Sequence, residues 1–341
     1  MRSAYWDNWK GLAIAAVVTI HACSGFPGGT AGSGAATQEM WIRQLTNFAV
    51  PFFFAAAGFF APKGQITCIR EFYSSRLLRI LPPYLVWTTI YLGVGAFREG
   101  IDPITMLKGY VFGTGIGIGY FVIVLCQFTL LTPLLLSLKS LTTHWIVIIS
   151  ISLMGIAYTY YFQTIEPNTR LSGFPAHALP FFVWYPFYHL GLVAGWRRDA
   201  SRIPLRIIIG AVLLAFAAGL LESKYWLATI GGSFPFSQLK VSNFLYSGAL
   251  FALAIRLADA QTLLHKGGVL TWLGRNSYAI YLIHMLFLPS ILSLLKDSWP
   301  WSTSGLALVL SGAVLCLAVT SLTVFLLRKR LPESPARYIL G

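Results

Sequence analysis

Charged residues are scarce in this sequence, and their scarcity argues against a soluble domain. Lys, Arg, Asp and Glu make up 11% of the 341 residues, whereas soluble domains average about 25%. Apolar residues make up 56%, and the mean hydropathy is +0.69. We therefore expect an integral membrane protein. The net charge of +14 does not indicate nucleic-acid binding, because the basic residues form short clusters between apolar runs.

Cysteine is also rare, and the cysteines do not form a metal-binding pattern. The four of them show no CxxC spacing and no associated cluster of histidines, so no metal site is expected. The chain has no HExxH motif and no Ser-His-Asp order, which argues against a zinc hydrolase and a serine hydrolase. No permanently bound cofactor is predicted.

Long apolar runs are abundant, and they set the expected topology. A membrane span needs about 20 apolar residues. Ten spans are predicted: 9–26, 44–62, 77–97, 118–138, 144–162, 178–196, 204–222, 241–258, 269–295 and 304–327. With the N-terminus in the cytoplasm, 18 of the 25 Lys and Arg residues fall in cytoplasmic segments, in agreement with the positive-inside rule. The other 7, among them Arg43 and Lys240, fall in the outer segments, whose main loops are 27–43, 98–117, 163–177 and 223–240.

These runs predict an all-α fold. We expect a polytopic membrane bundle of about ten transmembrane helices, with cytoplasmic N- and C-termini. The chain is expected to form a single membrane domain over residues 1–341, with its core motifs at 7–287. A short basic cytoplasmic tail is predicted at 328–341.

The first apolar run carries a line of ionisable residues. Lys10 and His21 are eleven residues apart, about 20° past three helical turns and roughly 16 Å along the axis. Asp7 joins the same stripe. Ionisable residues inside a membrane usually face the bundle interior or a water-filled cavity, so His21, Lys10 and Asp7 are candidate functional residues. Taken alone, Lys10 equally fits an interfacial anchor, and His21 a structural histidine bonded to a neighbouring helix.

Two arginines stand at the cytoplasmic end of the third predicted span. Arg76 and Arg79 are three residues apart and share one face of a helix. Two guanidinium groups on one face can hold phosphate groups bidentately. Anchoring by the positive-inside rule is the alternative, and it explains Arg70 better than it explains this pair. We predict a phosphate-binding role for Arg76 and Arg79.

Other polar side chains inside the spans are predicted to line a pocket. Ser277, Tyr281 and His284 are spaced i, i+4 and i+7, on one face of the ninth span. Polar residues of this kind often join membrane helices to one another, and this structural role is favoured over a catalytic one. Gln127 lies within the fourth span and is also expected to face a cavity.

Taken together and in this order, the motifs resemble the acyltransferase-3 family of membrane acyltransferases. The matching segments are DNWKGLAIAAVVTIH, NFAVPFFFAAAGFF, SRLLRILPPYL, YFVIVLCQFTLLTPLL and LGRNSYAIYLIH. The resemblance implies a ten-helix enzyme of the bacterial inner membrane. The family's basic-x10-His motif falls on Lys10 and His21, with lysine where the family often has arginine. Its arginine pair falls on Arg76 and Arg79.

The resemblance further implies an O-acyltransferase that moves an acyl group, often acetyl, from cytoplasmic acyl-CoA to a hydroxyl of a carbohydrate or cell-envelope glycan. His21 would be the general base or acyl carrier. Arg76 and Arg79 would bind acyl-CoA. Lys10 would neutralise the donor or order the stripe, paired with Asp7. The expected partners are acyl-CoA (acetyl-CoA) as co-substrate, membrane lipid and a carbohydrate or lipid-linked glycan acceptor, with no nucleic acid.

Two other classes of function remain open at this point. A proton-coupled transporter or exporter would use the same polar stripe, with His21 as the proton relay. A structural or sensory membrane protein would need no chemistry from these residues.

Overall fold

The computed structural model describes residues 3–26, 33–64, 66–197, 202–258, 267–298 and 305–341. Within these ranges the chain is helical and contains no β-strand. The α-helices are α1 (Ala4–Ala22), α2 (Gly34–Thr46), α3 (Ala49–Phe59), α4 (Ile69–Glu99), α5 (Pro103–Val111), α6 (Tyr120–Ser137), α7 (Leu141–Tyr160), α8 (Phe181–Arg197), α9 (Leu205–Thr229), α10 (Val241–Ala258), α11 (Val269–Arg275), α12 (Ser277–Ser298), α13 (Gly305–Arg330) and α14 (Glu333–Leu340).

Helix length and composition confirm the all-α, multi-pass membrane class. In the described part of the chain, seven helical segments are long and apolar enough to cross a membrane, and they contain α4, α6, α7, α9, α10, α12 and α13. Three further helices, α1, α3 and α8, overlap the remaining predicted spans. They have 19, 11 and 17 residues.

Two predicted spans are interrupted at asparagines, so the prediction of one continuous helix was wrong in both. The 44–62 run is divided between α2 and α3, and the 269–295 run between α11 and α12. The Asn47 amide donates to the carbonyl of Phe236 at 3.3 Å. The Asn276 amide donates to the carbonyl of Trp272 at 2.8 Å. Asparagine interrupts helices in this way because its side chain competes for backbone hydrogen bonds.

Helices also occupy segments that the sequence assigned to outer loops. The N-terminus of α2 is capped by Ser33, whose hydroxyl accepts from the backbone N–H of Ala36 at 3.2 Å. The N-terminus of α5 is capped by Asp102, which accepts from the backbone N–H of Ile104 at 2.9 Å. Short polar residues at this position stabilise a helix start. The predicted tail is also helical, because α13 continues to Arg330 and α14 follows it.

The chain forms two compact units. Unit 1 comprises Met1–Phe53 and Arg198–Phe325, and unit 2 comprises Phe54–Arg197 and Leu326–Gly341. Unit 1 is therefore assembled from the two distant parts of the sequence that carry the first and last motifs.

In unit 1, α1 and α11 approach each other at backbone contact. A Cβ on Gly11 would lie 2.1 Å from a backbone oxygen of α11, and a Cβ on Gly274 would lie 1.7 Å from the backbone oxygen of Asp7. No side chain fits at either position. Small residues allow this close approach between membrane helices, and here they fix α1 against α11.

In unit 2, α3 and α8 pack through glycines in the same way. A Cβ on Gly58 would lie 2.0 Å from the carbonyl oxygen of Tyr188, and one on Gly191 would lie 2.0 Å from that of Ala55. The C-terminal α14 belongs to the same unit and is held on α4 by a hydrogen bond from the indole of Trp87 to the carbonyl of Ile339, at 2.9 Å.

Candidate functional site

The buried carboxylate of Asp7 holds two cationic side chains at the N-terminal end of α1. Asp7 is 1% exposed. Its Oδ1 accepts from Lys10 Nζ at 3.3 Å, and its Oδ2 accepts from Arg275 Nε at 3.2 Å. The expected pairing of Asp7 with Lys10 is present, and Arg275 joins it from α11. Both oxygens are engaged, so this carboxylate orders the cationic end of the stripe and links α1 to α11.

A second polar contact lies beside this ion-pair cluster. The hydroxyl of Thr271 donates to Oδ1 of Asn8 at 2.7 Å, and both residues are buried. Asn8 belongs to the first sequence motif, and Thr271 lies two residues before the start of the last one. Complementary polar groups therefore join α1 to α11 in addition to the glycine contacts.

The C-terminal end of α1 brings His21 to the predicted pocket face of α12. The ring centroids of His21 and His284 are 5.4 Å apart, with the planes tilted by 42°. The ring of Tyr281 lies 6.1 Å from that of His284. Ser277 begins the same uninterrupted helix and is half-buried. The i, i+4, i+7 spacing on one helix is thus present, and it places His284 beside His21 and Tyr281 beside His284.

The hydrogen bonds of His284 determine which of its nitrogens carries the proton. Nδ1 lies 2.8 Å from the carbonyl oxygen of Tyr281 and 3.2 Å from that of Ile280. A carbonyl only accepts, so Nδ1 is the protonated nitrogen and Nε2 holds a lone pair. Nε2 is buried and has no hydrogen-bond partner within the described residues.

Arg43 of α2 is a charged neighbour of His21 that the sequence did not suggest. Its guanidinium pairs with Glu39 at 3.1 Å, and its charge acts on the imidazole of His21. The sequence placed Arg43 in an outer loop, as one of several outer cations. The i, i+4 spacing of Glu39 and Arg43 is a local signal of the helix there.

Arg76 and Arg79 lie in unit 2, in the second and third turns of α4. Arg76 is half-buried and Arg79 is exposed. The Cζ of Arg76 stands 5.0 Å from the centroid of the Phe72 ring, a cation–π contact that orients the guanidinium. Among the described residues, neither arginine forms an ion pair with a carboxylate. Two adjacent cations without a neutralising partner form a suitable site for an anion.

Two prolines interrupt the backbone hydrogen bonds of α4 directly after this pair of arginines. Pro82 and Pro83 lie inside α4, and neither has a backbone N–H to donate. The carbonyls of Leu78 and Arg79 therefore lack their usual helical partners, and prolines in this position bend helices. Gln127 also belongs to unit 2, on α6, and its Oε1 is buried without a hydrogen-bond partner among the described residues.

Lys240 is a buried cation that the sequence assigned to an outer loop. It is 0% exposed. Its ammonium donates to the carbonyl of Gly219 at 3.2 Å and to the hydroxyl of Ser223. The carboxylate of Glu222 acts on it electrostatically and also accepts from the backbone N–H of Ser242 at 3.0 Å. The sequence gave no signal for this cluster, because a lysine between two apolar runs resembles a loop residue.

A histidine pair in unit 2 is a further buried polar contact. Nδ1 of His144 lies 2.7 Å from Nε2 of His189, and both residues are buried. Within the described ranges, no group of three or more His, Cys, Asp or Glu side chains is arranged to hold a metal ion.

These features define a multi-pass membrane protein with ionisable side chains buried in its helices, as in membrane enzymes and transporters. Residues 3–325 match the family described as "Acyltransferase domain", the acyltransferase-3 family. The chain belongs to this family, and the resemblance seen in its motifs is confirmed.

Two curated proteins are similar to most of the chain. One, from Bacillus subtilis (strain 168), carries the name "Putative membrane-bound acyltransferase YfiQ"; it is 23% identical over 259 residues, which are 72% of this chain and 70% of that protein. The other, from Staphylococcus aureus (strain MRSA252), carries the name "Probable poly-beta-1,6-N-acetyl-D-glucosamine export protein"; it is 22% identical over 275 residues, 76% of this chain and 74% of that protein. No solved structure matches the chain significantly.

Proposed function

We propose that this protein is a membrane O-acyltransferase. It moves an acyl group, acetyl in our proposal, from cytoplasmic acyl-CoA to a hydroxyl of a carbohydrate or cell-envelope glycan. The observation that carries the proposal is the family match over residues 3–325. The family's basic-x10-His motif falls within one uninterrupted helix, α1, which holds both Lys10 and His21.

The chemistry assigned to His21 is general-base catalysis of acyl transfer. The acceptor hydroxyl oxygen attacks the thioester carbonyl carbon while a nitrogen of His21 takes the hydroxyl proton. The tetrahedral intermediate then expels the sulfur, the C–S bond breaks, and His21 returns the proton to the CoA thiolate. Proton transfer of this kind contributes about 10²- to 10⁴-fold to a rate. A short-lived acyl group on His21 is the variant in which the histidine acts as carrier.

Cationic side chains are assigned to the donor and to the intermediate. Arg76 and Arg79 bind the phosphates of acyl-CoA, supported by the absence of a carboxylate partner among the described residues. Arg43 supplies positive charge near His21, where the tetrahedral oxyanion forms. Lys10 and Asp7 keep the cytoplasmic end of the stripe polar and ordered.

We also propose the finer topology. The seven apolar segments and the three further helices α1, α3 and α8 together make ten spans, in a single membrane domain with cytoplasmic termini. The cytoplasmic bias of Lys and Arg supports this orientation. A bacterial inner membrane agrees with the bacterial origin of both relatives.

A membrane exporter is the second candidate function. Its support is the name of the Staphylococcus aureus relative, which describes polysaccharide export. In that case α1 would line a proton-coupled path, with His21 as the relay. An exporter moves an intact substrate, whereas an acyltransferase consumes a thioester.

The test uses purified protein in detergent with radiolabelled acetyl-CoA. We would follow thioester cleavage and transfer of label to carbohydrate acceptors in the wild type, His21→Ala and Arg76→Ala. We expect His21→Ala to abolish turnover and Arg76→Ala mainly to raise the KM for acetyl-CoA. Thr19→Ala on α1 and Arg70→Ala on α4 are the matched controls, and both should retain activity.

Longer acyl donors extend the test if acetyl-CoA is not used. Absence of thioester cleavage with every donor would overturn the enzymatic proposal. Movement of intact glycan in proteoliposomes that is lost in His21→Ala, without thioester cleavage, would establish the exporter instead.

A further inference from the structure

His284 has one ring nitrogen engaged and the other available. Its Nδ1–H is held by the backbone carbonyls of Tyr281 and Ile280. The tautomer is therefore fixed by α12 itself, and the lone pair of Nε2 points away from the helix backbone. Because the side chain is 0% exposed, this lone pair is buried. An unpaired buried acceptor typically costs about 1 to 3 kcal/mol, so a hydrogen-bond donor at this position would be stabilising.

His21 is the neighbouring side chain that can supply the donor. The pair of His144 and His189 in unit 2 shows which ring separation allows a hydrogen bond between two histidines. Its ring centroids are 5.0 Å apart and its facing nitrogens are 2.7 Å apart. The rings of His21 and His284 have centroids 5.4 Å apart. If one nitrogen of each ring points at the other ring, rings with this centroid distance bring the two nitrogens to about 3 Å, a normal hydrogen-bond length. The contact requires the His21 side chain to rotate until one of its nitrogens points at Nε2 of His284.

Two polar groups near the pair have hydrogen-bond or ion-pair partners of their own. Arg43 pairs with Glu39 on α2. The thiol of Cys316 on α13 lies 3.5 Å from the backbone oxygen of His284 and donates to it. The imidazole of His21 has no hydrogen-bond partner among the described residues, so its N–H is available to His284.

We propose that His284 is the positioning residue for His21. Nε2 of His284 accepts the N–H of one His21 nitrogen, and the opposite nitrogen of His21 is thereby left unprotonated and directed at the acceptor hydroxyl. This inference rests on the proposed acyltransferase function. A base oriented by a third group is the general arrangement of an activated nucleophile. Here a histidine with a backbone-fixed tautomer takes the place of the usual carboxylate.

The kinetic test distinguishes the effect of losing the acceptor nitrogen of His284 from the effect of losing its ring volume. His284→Phe keeps a planar ring and removes the acceptor, whereas His284→Gln keeps an acceptor oxygen at similar reach. We expect His284→Phe to lower kcat about 10- to 100-fold, as loss of a group that orients a histidine does. The KM for acetyl-CoA should stay within about twofold, because donor binding is not changed. His284→Gln should recover most of kcat.

Cys316→Ala is the matched control. It changes a side chain that touches His284 without removing the acceptor at Nε2, so we expect near-wild-type kcat. Wild-type kcat in His284→Phe would overturn the proposal. So would a folded His284→Gln that is as slow as His284→Phe.

A second measurement does not depend on activity. In protein labelled with ¹⁵N-histidine, NMR should show His284 as the Nδ1-protonated tautomer, with an Nε2 resonance that shifts when His21 is replaced by Phe. If the wild type cleaves no acyl-CoA, the enzymatic proposal fails, yet this shift still reports the contact. An unchanged Nε2 resonance in His21→Phe would refute the positioning role even in an active enzyme.

Discussion

The backbone oxygen of Asp7 lies 1.7 Å from the position that a Cβ on Gly274 would occupy. The first and last sequence motifs therefore meet as backbone against backbone, with the carboxylate of Asp7 bonded to Arg275 directly beside the contact. Gly274 permits the close approach of α1 and α11, and the ion pair between Asp7 and Arg275 orients the two helices. This explains why Asp7 is buried although it lies at the start of a helix.

We expect Gly274→Ala to destabilise unit 1. The added methyl group would collide with backbone, which cannot rotate away, so α1 and α11 must separate. Overpacking of this kind costs about 1 to 3 kcal/mol. Thermal unfolding in detergent measures the effect. Gly248→Ala on α10 is the control, since nothing lies within 4 Å of its Cβ position, and it should be neutral or slightly stabilising. Equal melting temperatures for the two variants would contradict the close contact.

We expect Asp7→Ala to lower the free energy of unfolding by about 1 to 3 kcal/mol, because two cations lose their partner. The Arg275 side chain is 51% exposed, so water screens its ion pair with Asp7. The coupling energy of this pair, measured in a double-mutant cycle of Asp7→Ala and Arg275→Met, should stay below about 1 kcal/mol. Glu71→Gln on α4 removes an exposed carboxylate and is the control. A coupling energy of several kcal/mol would show that the pair is more enclosed than this geometry implies.

We expect Lys240→Met to destabilise the protein more than the double variant Lys240→Met/Glu222→Gln does. The single change leaves the carboxylate of Glu222 without its cation, and the double change removes both charges. Loss of one partner of a buried pair is strongly destabilising, whereas replacement of both is often mild. Chemical unfolding of the four proteins in the cycle gives both values. A double variant less stable than Lys240→Met would reject this electrostatic account.

We expect the protein to lose stability in mild acid through His177. Burial lowers the pKa of His177 below its usual value of about 6.5, against the opposing effect of a backbone contact to Gly173. The unfolded chain therefore binds the proton first. Stability is fully present above the unfolded pKa and falls as the pH drops below it. His177→Gln should flatten this part of the pH profile, measured as melting temperature from pH 7.5 to 5. An unchanged slope would exclude His177 as the cause.

Periodicity along one helix could be predicted from the sequence, and contacts between helices could not. The spacing of Asp7, Lys10 and His21 placed them on one side of α1 because helical geometry fixes their angles. Nothing local to α1 identifies Arg275 or His284 as neighbours, since both come from the far end of the chain. The family resemblance brought the motifs together as a set but did not say which of them touch.

Helix interruptions and the burial of charged side chains could also not be predicted from local sequence patterns. Asn276 divides an apolar run that is continuous in a hydropathy profile. Such a profile averages over many residues and does not register the side-chain hydrogen bond that ends α11. Lys240 was assigned to a loop because a charge marks an interface on average. Its burial depends on Glu222, Ser223 and the carbonyl of Gly219, which all lie on another helix. These groups become visible only when α9 and α10 are packed together.

The division of unit 1 between both ends of the sequence also has a consequence for biogenesis. Asp7 leaves the ribosome 268 residues before Arg275, and at about 5 to 20 residues per second the delay is roughly 10 to 50 seconds. During this interval α1 must enter the membrane while Asp7 has Lys10 but not yet Arg275 as a partner. Nearly all of unit 2 is synthesised within the same interval. Insertion of α1 is therefore the step at which we expect dependence on the membrane-insertion machinery to be greatest.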